Sequence, residues 1–305
     1  MLHRSPSWWE VRSTPLAART GELDRVASQF LIEPVGICCV SVAVGSAYGQ
    51  QVHYPTDDNE LAATLATRAG ELLVNVREEL VAQGADGGTI KDEGDRRSHV
   101  WLTEQLAAAR PDDAVLSEES TEDEERSSGR LGAKRVWIID PVDGTREYGE
   151  GRSDWAVHVA LAIDGDPTIG AVALPGLGLT LGTGDPVSVP DAPDPLRVVV
   201  SRTRPPAEAL AIAEALGAEL VEMGSAGAKT MSVLRGESDI YPHSGGQYEW
   251  DSAAPVAVAR AAGLHCSRLD GSPLRYNQAD TRLPDLLVCR PEHAQAVIDA
   301  AAEPG

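Results

Sequence analysis

One stretch constrains this chain more than any other. Residues Trp137 to Tyr148 read WIIDPVDGTREY. Trp137, Ile138 and Ile139 form an apolar run with β-branched residues, short enough for a buried strand. Asp140-Pro141-Val142-Asp143-Gly144-Thr145 then sets two carboxylates, a fixed φ, a glycine and a hydroxyl side by side. Pro141 has no N–H for a ladder hydrogen bond, so the strand is expected to end at Asp140. Asp143 can return to the same side of the turn, letting both carboxylates and the Val142 carbonyl converge on one hard cation. Mg²⁺ takes oxygen ligands in octahedral geometry and keeps waters that a phosphate can displace. Gly144 admits close approach of a ligand, and free amides at a following helix start suit an anion. The alternative is a turn with a helix cap, because Asp-Pro and Asp-Gly are ordinary turn signals.

Composition narrows the partners. The 305 residues are 42% hydrophobic, enough for a real core in one large domain or two smaller ones. Net charge is −21, from 47 acidic and 26 basic residues. A nucleic-acid polymer or an anionic membrane needs a basic surface, so neither is an expected partner. A small phosphorylated substrate is compatible with this charge if metal ions supply the positive field. Much of the acidity, as in EESTEDEE from Glu118 to Glu125, reads as solvated surface. Cys38, Cys39, Cys266 and Cys289 form no CxxC pair and no zinc set, which fits reduced thiols and a cytoplasmic location. No apolar run reaches membrane-spanning length, the first residues lack a secretory pattern, and there is no internal repeat.

Periodicity outlines the chain. Residues 1–56 read as an N-terminal extension outside the working fold, with a helix candidate over Leu16–Phe30 and a strand candidate in ICCVSVAV. Leu61, Leu65, Leu72, Val76 and Leu80 fall at helical spacing, ending near Gln83-Gly84. Residues 90–95 read as a turn before a helix over 98–109, and residues 114–117 as a strand leading into Glu118 and Glu119. After the central turn, residues 154–182 read as a three-strand meander and 183–195 as a linker. Strands then alternate with helices: 196–201, 205–216, 219–222, 226–235, 239–241, 249–262, 286–289 and 291–302. The expected organisation is a metal-binding α+β half over 57–183 and an α/β half over 196–305, together one catalytic unit.

Three more acidic segments lie where elements begin or end: Asp95, Glu118-Glu119, and Asp251 in EWDSAA. Function collects at such ends because the scaffold fixes them while leaving them accessible. Glu118, Asp140, Asp143 and Asp251 in one place repel strongly without cations. Two or three Mg²⁺ ions relieve that repulsion, one generating hydroxide from water and another stabilising the leaving oxygen. Thr145 beside Asp95 can orient and deprotonate the attacking water. Taken singly, Asp251 also reads as a favourable helix N-terminal charge and Asp95 as a solvated turn acid.

WIIDPVDGTREY resembles the first signature of the inositol monophosphatase superfamily. LSEES before it and EWDSAAPVAVARAAG after it are similar to that family's glutamate motif and second signature, in the same order and spacing. DIYPHSGGQYEWDSAAP and RLDGSPLRYN look most like its bacterial CysQ-type 3'(2'),5'-bisphosphate nucleotidases. The resemblance spans roughly residues 59 to 290. It implies an α/β (α+β) fold, the layered αβαβα sandwich of the inositol monophosphatase and fructose-1,6-bisphosphatase type. It implies Glu118, Asp140, the Val142 carbonyl, Asp143 and Asp251 as Mg²⁺ ligands, and Asp95 with Thr145 as activators of water. The Gly144 and Thr145 amides and Asp251 then hold the substrate. The family's Thr-x-x-Asp run is KDEGD here, so Asp95 rather than Asp92 is chosen for its place before a helix. Ser201-Arg202-Thr203-Arg204 stands where relatives carry a Ser-Arg-Ser-His-like segment, and Arg204 suits a second phosphate. GSAGAK resembles a glycine-rich segment whose lysine, here Lys229, faces the nucleotide; an exposed lysine at a helix start is its alternative. Tyr241 and His243 can border the base.

The implied activity is removal of the 3'-phosphate of 3'-phosphoadenosine 5'-phosphate, and of the corresponding phosphosulfate, in sulfur assimilation. Inositol phosphate or fructose 1,6-bisphosphate as substrate, and a non-catalytic binding module, are the competing readings. A second copy of the chain is an expected partner, and Li⁺ sensitivity is implied by the resemblance.

Overall fold

The first helix, α1 (Asp58–Ala82), begins where Asp57 accepts from the backbone N–H groups of Asn59 and Glu60 at 2.8 and 3.0 Å. It buries Leu61, Leu65, Leu73, Val76 and Leu80. Leu73, not the expected Leu72, takes the inward position, because the buried row steps every four residues through 61, 65, 69 and 73. Each such side chain removed from water contributes about 1.5–3 kcal/mol. The computed structural model describes residues 54–121 and 129–302, so the strand and helix expected before residue 54 lie outside the described residues.

Helix α2 (Gly87–Ala109) corrects one expectation. Residues 90–95 form no turn, and Asp95 lies inside the helix rather than before it. The segment holds no proline, and its Gly94 is a packing residue: a Cβ there would meet the Tyr148 ring at 2.5 Å. Strand β1 (Ala114–Ser117) pairs in parallel with β2 (Arg135–Asp143), placing Ser117 opposite Ile139. Strand β2 also runs past its expected end. Its pairing with β3 (Ala156–Ile163) shifts register between Asp140 and Asp143 and resumes at Asp143 opposite Ala156. A bulge requires no ladder N–H from Pro141, so the proline is accommodated instead of terminating the strand. A short helix, α3 (Thr145–Gly149), then leads to the expected meander of β3, β4 (Asp166–Leu174) and β5 (Leu179–Gly182).

The second half contains β6 (Arg197–Ser201), α4 (Ala207–Ala215), β7 (Glu219–Met223) and α5 (Ala226–Leu234). There follow β8 (Ile240–Tyr248), α6 (Glu249–Ala261), β9 (His265–Ser267), β10 (Arg282–Cys289) and α7 (Ala294–Ala302). Strand β8 continues seven residues past Tyr241, where it was expected to end, and β10 starts four residues early. Strand β10 pairs along both sides of Ser244-Gly245-Gly246 with a register shift, so β8 carries through the glycines.

Among the described residues the strands make two sheets, ordered β1-β2-β3-β4-β5 and β7-β6-β8-β10-β9. Side-chain alternation sorts the layers. Trp137 and Ile139 of β2 pack with α1 and α2 on one face, while Val136 and Ile138 face a middle core containing α5 and α6. That core also holds Val199, Tyr241, Leu286 and Val288 of the second sheet, whose other face packs on α4 and α7. The order is therefore helices, sheet, helices, sheet, helices, the expected αβαβα sandwich. No helix among the described residues is long and apolar enough to cross a membrane.

Candidate active site

The bulge in β2 builds the floor of the site. Asp140 is buried, and its Oδ1 accepts from the Val142 backbone N–H at 3.0 Å. Ser98 of α2 donates to the Pro141 carbonyl at 2.9 Å, fixing the turn from below. Gly144 has φ +83°, a left-handed conformation that a side chain disfavours. It turns the chain into α3, whose Thr145 Oγ1 donates to the Val142 carbonyl at 3.1 Å.

Asp143 joins the two halves. It accepts from the backbone N–H groups of Ala226 and Gly227 at 3.0 and 2.6 Å, and from the Ser225 hydroxyl. His158 of β3 adds Nε2 at 3.1 Å, while its Nδ1 lies 2.9 Å from the Trp250 carbonyl at the start of α6. A Cβ on Gly227 would stand 2.1 Å from that imidazole nitrogen, so only glycine fits. Asp251, in the first turn of α6, accepts from the Tyr248 backbone N–H at 2.6 Å. One carboxylate oxygen from each of Asp140, Asp143 and Asp251 falls within 4.8 Å of the others.

Glu118 follows β1 directly, so the parallel pairing of Ser117 with Ile139 sets it beside Asp140. Burial, then the charges of Asp251, Glu119 and Asp95, push the Glu118 carboxyl up to about 8. Asp140 is raised by burial and by Glu118, Asp143 and Asp251. Burial and Asp143 raise Asp251 to about 7. For Asp143, burial also disfavours the charge, but His158 and Ser225 outweigh it and hold the group at about 2. Asp95 stands at the edge of this cluster, raised to about 7 by burial and by Glu119 and Asp92. The structure thus brings together Glu118, Asp140, Asp143 and Asp251, with Asp95 beside them. An all-oxygen donor set whose ionisation is penalised by burial and mutual repulsion suits a hard divalent cation.

A cavity of about 240 Å³ opens beside the floor, its lining including Asp143, Gly144, Asp251, Arg204, Lys229 and Tyr241. Arg204 is exposed and makes no ion pair among the described residues, whereas Arg202 is held by Glu147 and Glu150 at 2.8 and 3.0 Å. Lys229 is buried rather than exposed. Its Nζ donates to the Gly224 and Ser225 carbonyls at 2.5 and 2.7 Å and lies 5.4 Å from the Tyr241 ring centroid, so two of its donors hold the loop. Sequence reasoning missed His158 and Ser225. The signal for His158 was a lone polar residue inside the apolar run WAVHVALAI.

The chain matches the family described as the inositol monophosphatase family over residues 57–303. It is 49% identical over 261 residues to a Mycobacterium leprae protein named 3'-phosphoadenosine 5'-phosphate phosphatase, covering 81% of this chain and 94% of the relative. It is 31% identical over 235 residues to the 3'(2'),5'-bisphosphate nucleotidase CysQ of Escherichia coli, covering 72% of this chain and 94% of that one. The solved structure of CysQ from Bacteroides thetaiotaomicron superposes with a TM-score of 0.63 at 26% identity, covering 75% of this chain and 96% of the other. Inositol monophosphatase II from Staphylococcus aureus shares the fold at a TM-score of 0.64 and 19% identity, covering 79% and 94%.

Proposed function

The chain belongs to the inositol monophosphatase family and is a phosphatase, and we propose that it hydrolyses the 3'-phosphate of 3'-phosphoadenosine 5'-phosphate. The observation that carries this reading is that Asp143 and Asp251 of the acidic floor line one cavity with Arg204, which makes no ion pair among the described residues. A bisphosphate needs one site for the phosphate that reacts and another for the phosphate that stays. The names of the M. leprae and E. coli relatives support the same substrate.

In this proposal Glu118, Asp140, the Val142 carbonyl, Asp143 and Asp251 hold two or three Mg²⁺ ions. Bound Mg²⁺ supplies Lewis-acid chemistry, lowering the pKa of water and neutralising charge on phosphoryl oxygens. Asp95 accepts the proton of the attacking water, with Thr145 Oγ1 relaying and orienting it. The Gly144 and Thr145 amides steady the phosphoryl oxygens, and Arg204 receives the 5'-phosphate. Water adds to phosphorus, the bond to O3' breaks, the departing oxygen takes a proton from solvent, and Asp95 returns its proton to solvent. Adenosine 5'-phosphate and inorganic phosphate leave. The 5'-phosphosulfate analogue fits the same roles. We assign the reaction to sulfur assimilation in the cytoplasm.

Phosphate release from this nucleotide, inositol 1-phosphate and fructose 1,6-bisphosphate, each with and without Mg²⁺, tests the reading. The nucleotide should be preferred in kcat/KM, and only with Mg²⁺. Arg204→Ala should raise the nucleotide KM about tenfold, as loss of a charge-assisted contact does, while sparing inositol 1-phosphate. Equal rates on all three substrates would overturn the assignment.

A further inference from the structure

The cavity wall formed by β8 carries two buried acceptors that no described residue uses. Tyr241 and His243 lie two apart on the strand, with ring centroids 6.1 Å apart. The kink at Gly245 and Gly246, where β8 slips register against β10, returns Gln247 to the same wall. Its Nε2 donates to Tyr241 Oη at 2.9 Å. Gln247 is 4% exposed, and its Oε1 is buried without a hydrogen-bond partner among the described residues.

His243 arrives at the same state by another route. Its Nε2 lies 2.8 Å from the Gly245 carbonyl. A carbonyl only accepts, so Nε2 carries the proton and Nδ1 of the neutral ring is a bare lone pair. That Nδ1 is likewise buried and unpartnered. Burial and the nearby Lys229 charge push the imidazole down to about 4, which keeps the ring neutral. His243, Gln247, Asp143 and Asp251 border one cavity.

We propose that Gln247 Oε1 and His243 Nδ1 form an acceptor wall that selects substrates by hydrogen-bond donors on the nucleoside. The inference rests on the nucleotide reading of this site. Buried acceptors without partners are costly, and a ligand that brings donors relieves the cost while one lacking them does not. Ionised phosphate offers only acceptors, so this wall cannot seat the second phosphate, which is left to the Arg204 side. The donors available on the nucleoside are the ribose 2'-hydroxyl and the exocyclic amine of adenine.

The test compares kcat/KM for 3'-phosphoadenosine 5'-phosphate, its 2'-deoxy analogue and its analogue lacking the exocyclic amine. Wild type, Gln247→Leu and His243→Phe are each assayed with Mg²⁺. The readout is the ratio between substrates within one enzyme, so a reduced folded fraction cancels. Wild type should disfavour at least one analogue about tenfold or more, and the variants should bring that ratio toward one. A ratio that collapses on the deoxy arm identifies the hydroxyl as the donor, and one that collapses on the other arm identifies the amine. Equal turnover of all three by wild type, or wild-type ratios in both variants, overturns the proposal. If wild type hydrolyses inositol 1-phosphate but none of the nucleotides, the substrate reading falls and takes this inference with it.

Discussion

Asp140 and Asp143 sit three residues apart at the end of one strand, both buried, and are held in opposite ways. Asp143 is surrounded by partners: it accepts from two backbone N–H groups and the Ser225 hydroxyl, and the His158 imidazole lies 3.1 Å away. Asp140 receives one backbone N–H, has the nearest His158 nitrogen at 4.0 Å, and otherwise faces Glu118, Asp143 and Asp251. One carboxylate is a preformed anion, and the other is an anion only when something cationic arrives. The first corner gives the site a fixed geometry before any cation binds. The second stores repulsion that a cation relieves, which couples metal binding to the charge state of the floor.

Removing the repulsive corner should have the largest effect. Asp140→Asn is expected to lower kcat/KM on the order of 10³-fold, the scale of losing a charge-stabilising group. The same variant, freed of a buried carboxyl that must take up a proton to fold at neutral pH, should melt roughly 2–8 °C higher than wild type when both are metal-free. Steady-state kinetics and calorimetry check the two halves, and a fall in the metal-free melting temperature would break the comparison. Removing a support from the preformed corner should act in the other sense. His158→Ala takes away a partner that opposes the burial penalty on Asp143, so metal affinity should weaken about 10–100-fold. Calorimetric titration with Mg²⁺ measures this, and the metal-free protein should lose stability.

The smallest expected effect is a pH profile. Glu118 and Asp251 have folded values raised to about 8 and about 7, and Asp140 is also raised. In the unfolded chain these groups ionise near pH 4, so between there and pH 8 the folded state holds more protons. Stability of the metal-free protein from this corner is therefore fully present below about pH 4 and is lost as pH rises through the folded values. Asp143, held at about 2, contributes in the opposite window: its stability is present above about pH 4 and disappears as pH falls toward 2. Melting scans in a chelator should show a maximum near pH 4–5, and Mg²⁺ should remove the fall on the alkaline side. A flat alkaline limb in the chelator would show that the corners do not differ in charge.

Much of the candidate floor was legible locally. Glu118 and Asp251 sit at a strand end and a helix start that the sequence pattern located, and Asp140 and Asp143 share one short motif. Asp95 was chosen over Asp92 for a place before a helix, yet it lies inside α2, whose Gly94 is kept small by the Tyr148 ring. The end of β2 was misread for a related reason. Proline forbids one ladder bond, and a bulge is the arrangement in which that bond is not required.

The sequence by itself determined the floor's residue types, their order and the alternating pattern that layers two sheets among helices, because those depend on neighbours within a few residues. Only the tertiary structure decided which carboxylate is pinned and which is poised. The donors to Asp143 come from 82 to 84 residues away, and His158 reaches across to a carbonyl 92 residues distant. The acceptor wall of β8 also appears only when a glycine-rich kink pairs with β10 and turns Gln247 toward the cavity. Charge is carried by a residue wherever it lies, but the cost of that charge is set by what the fold packs around it.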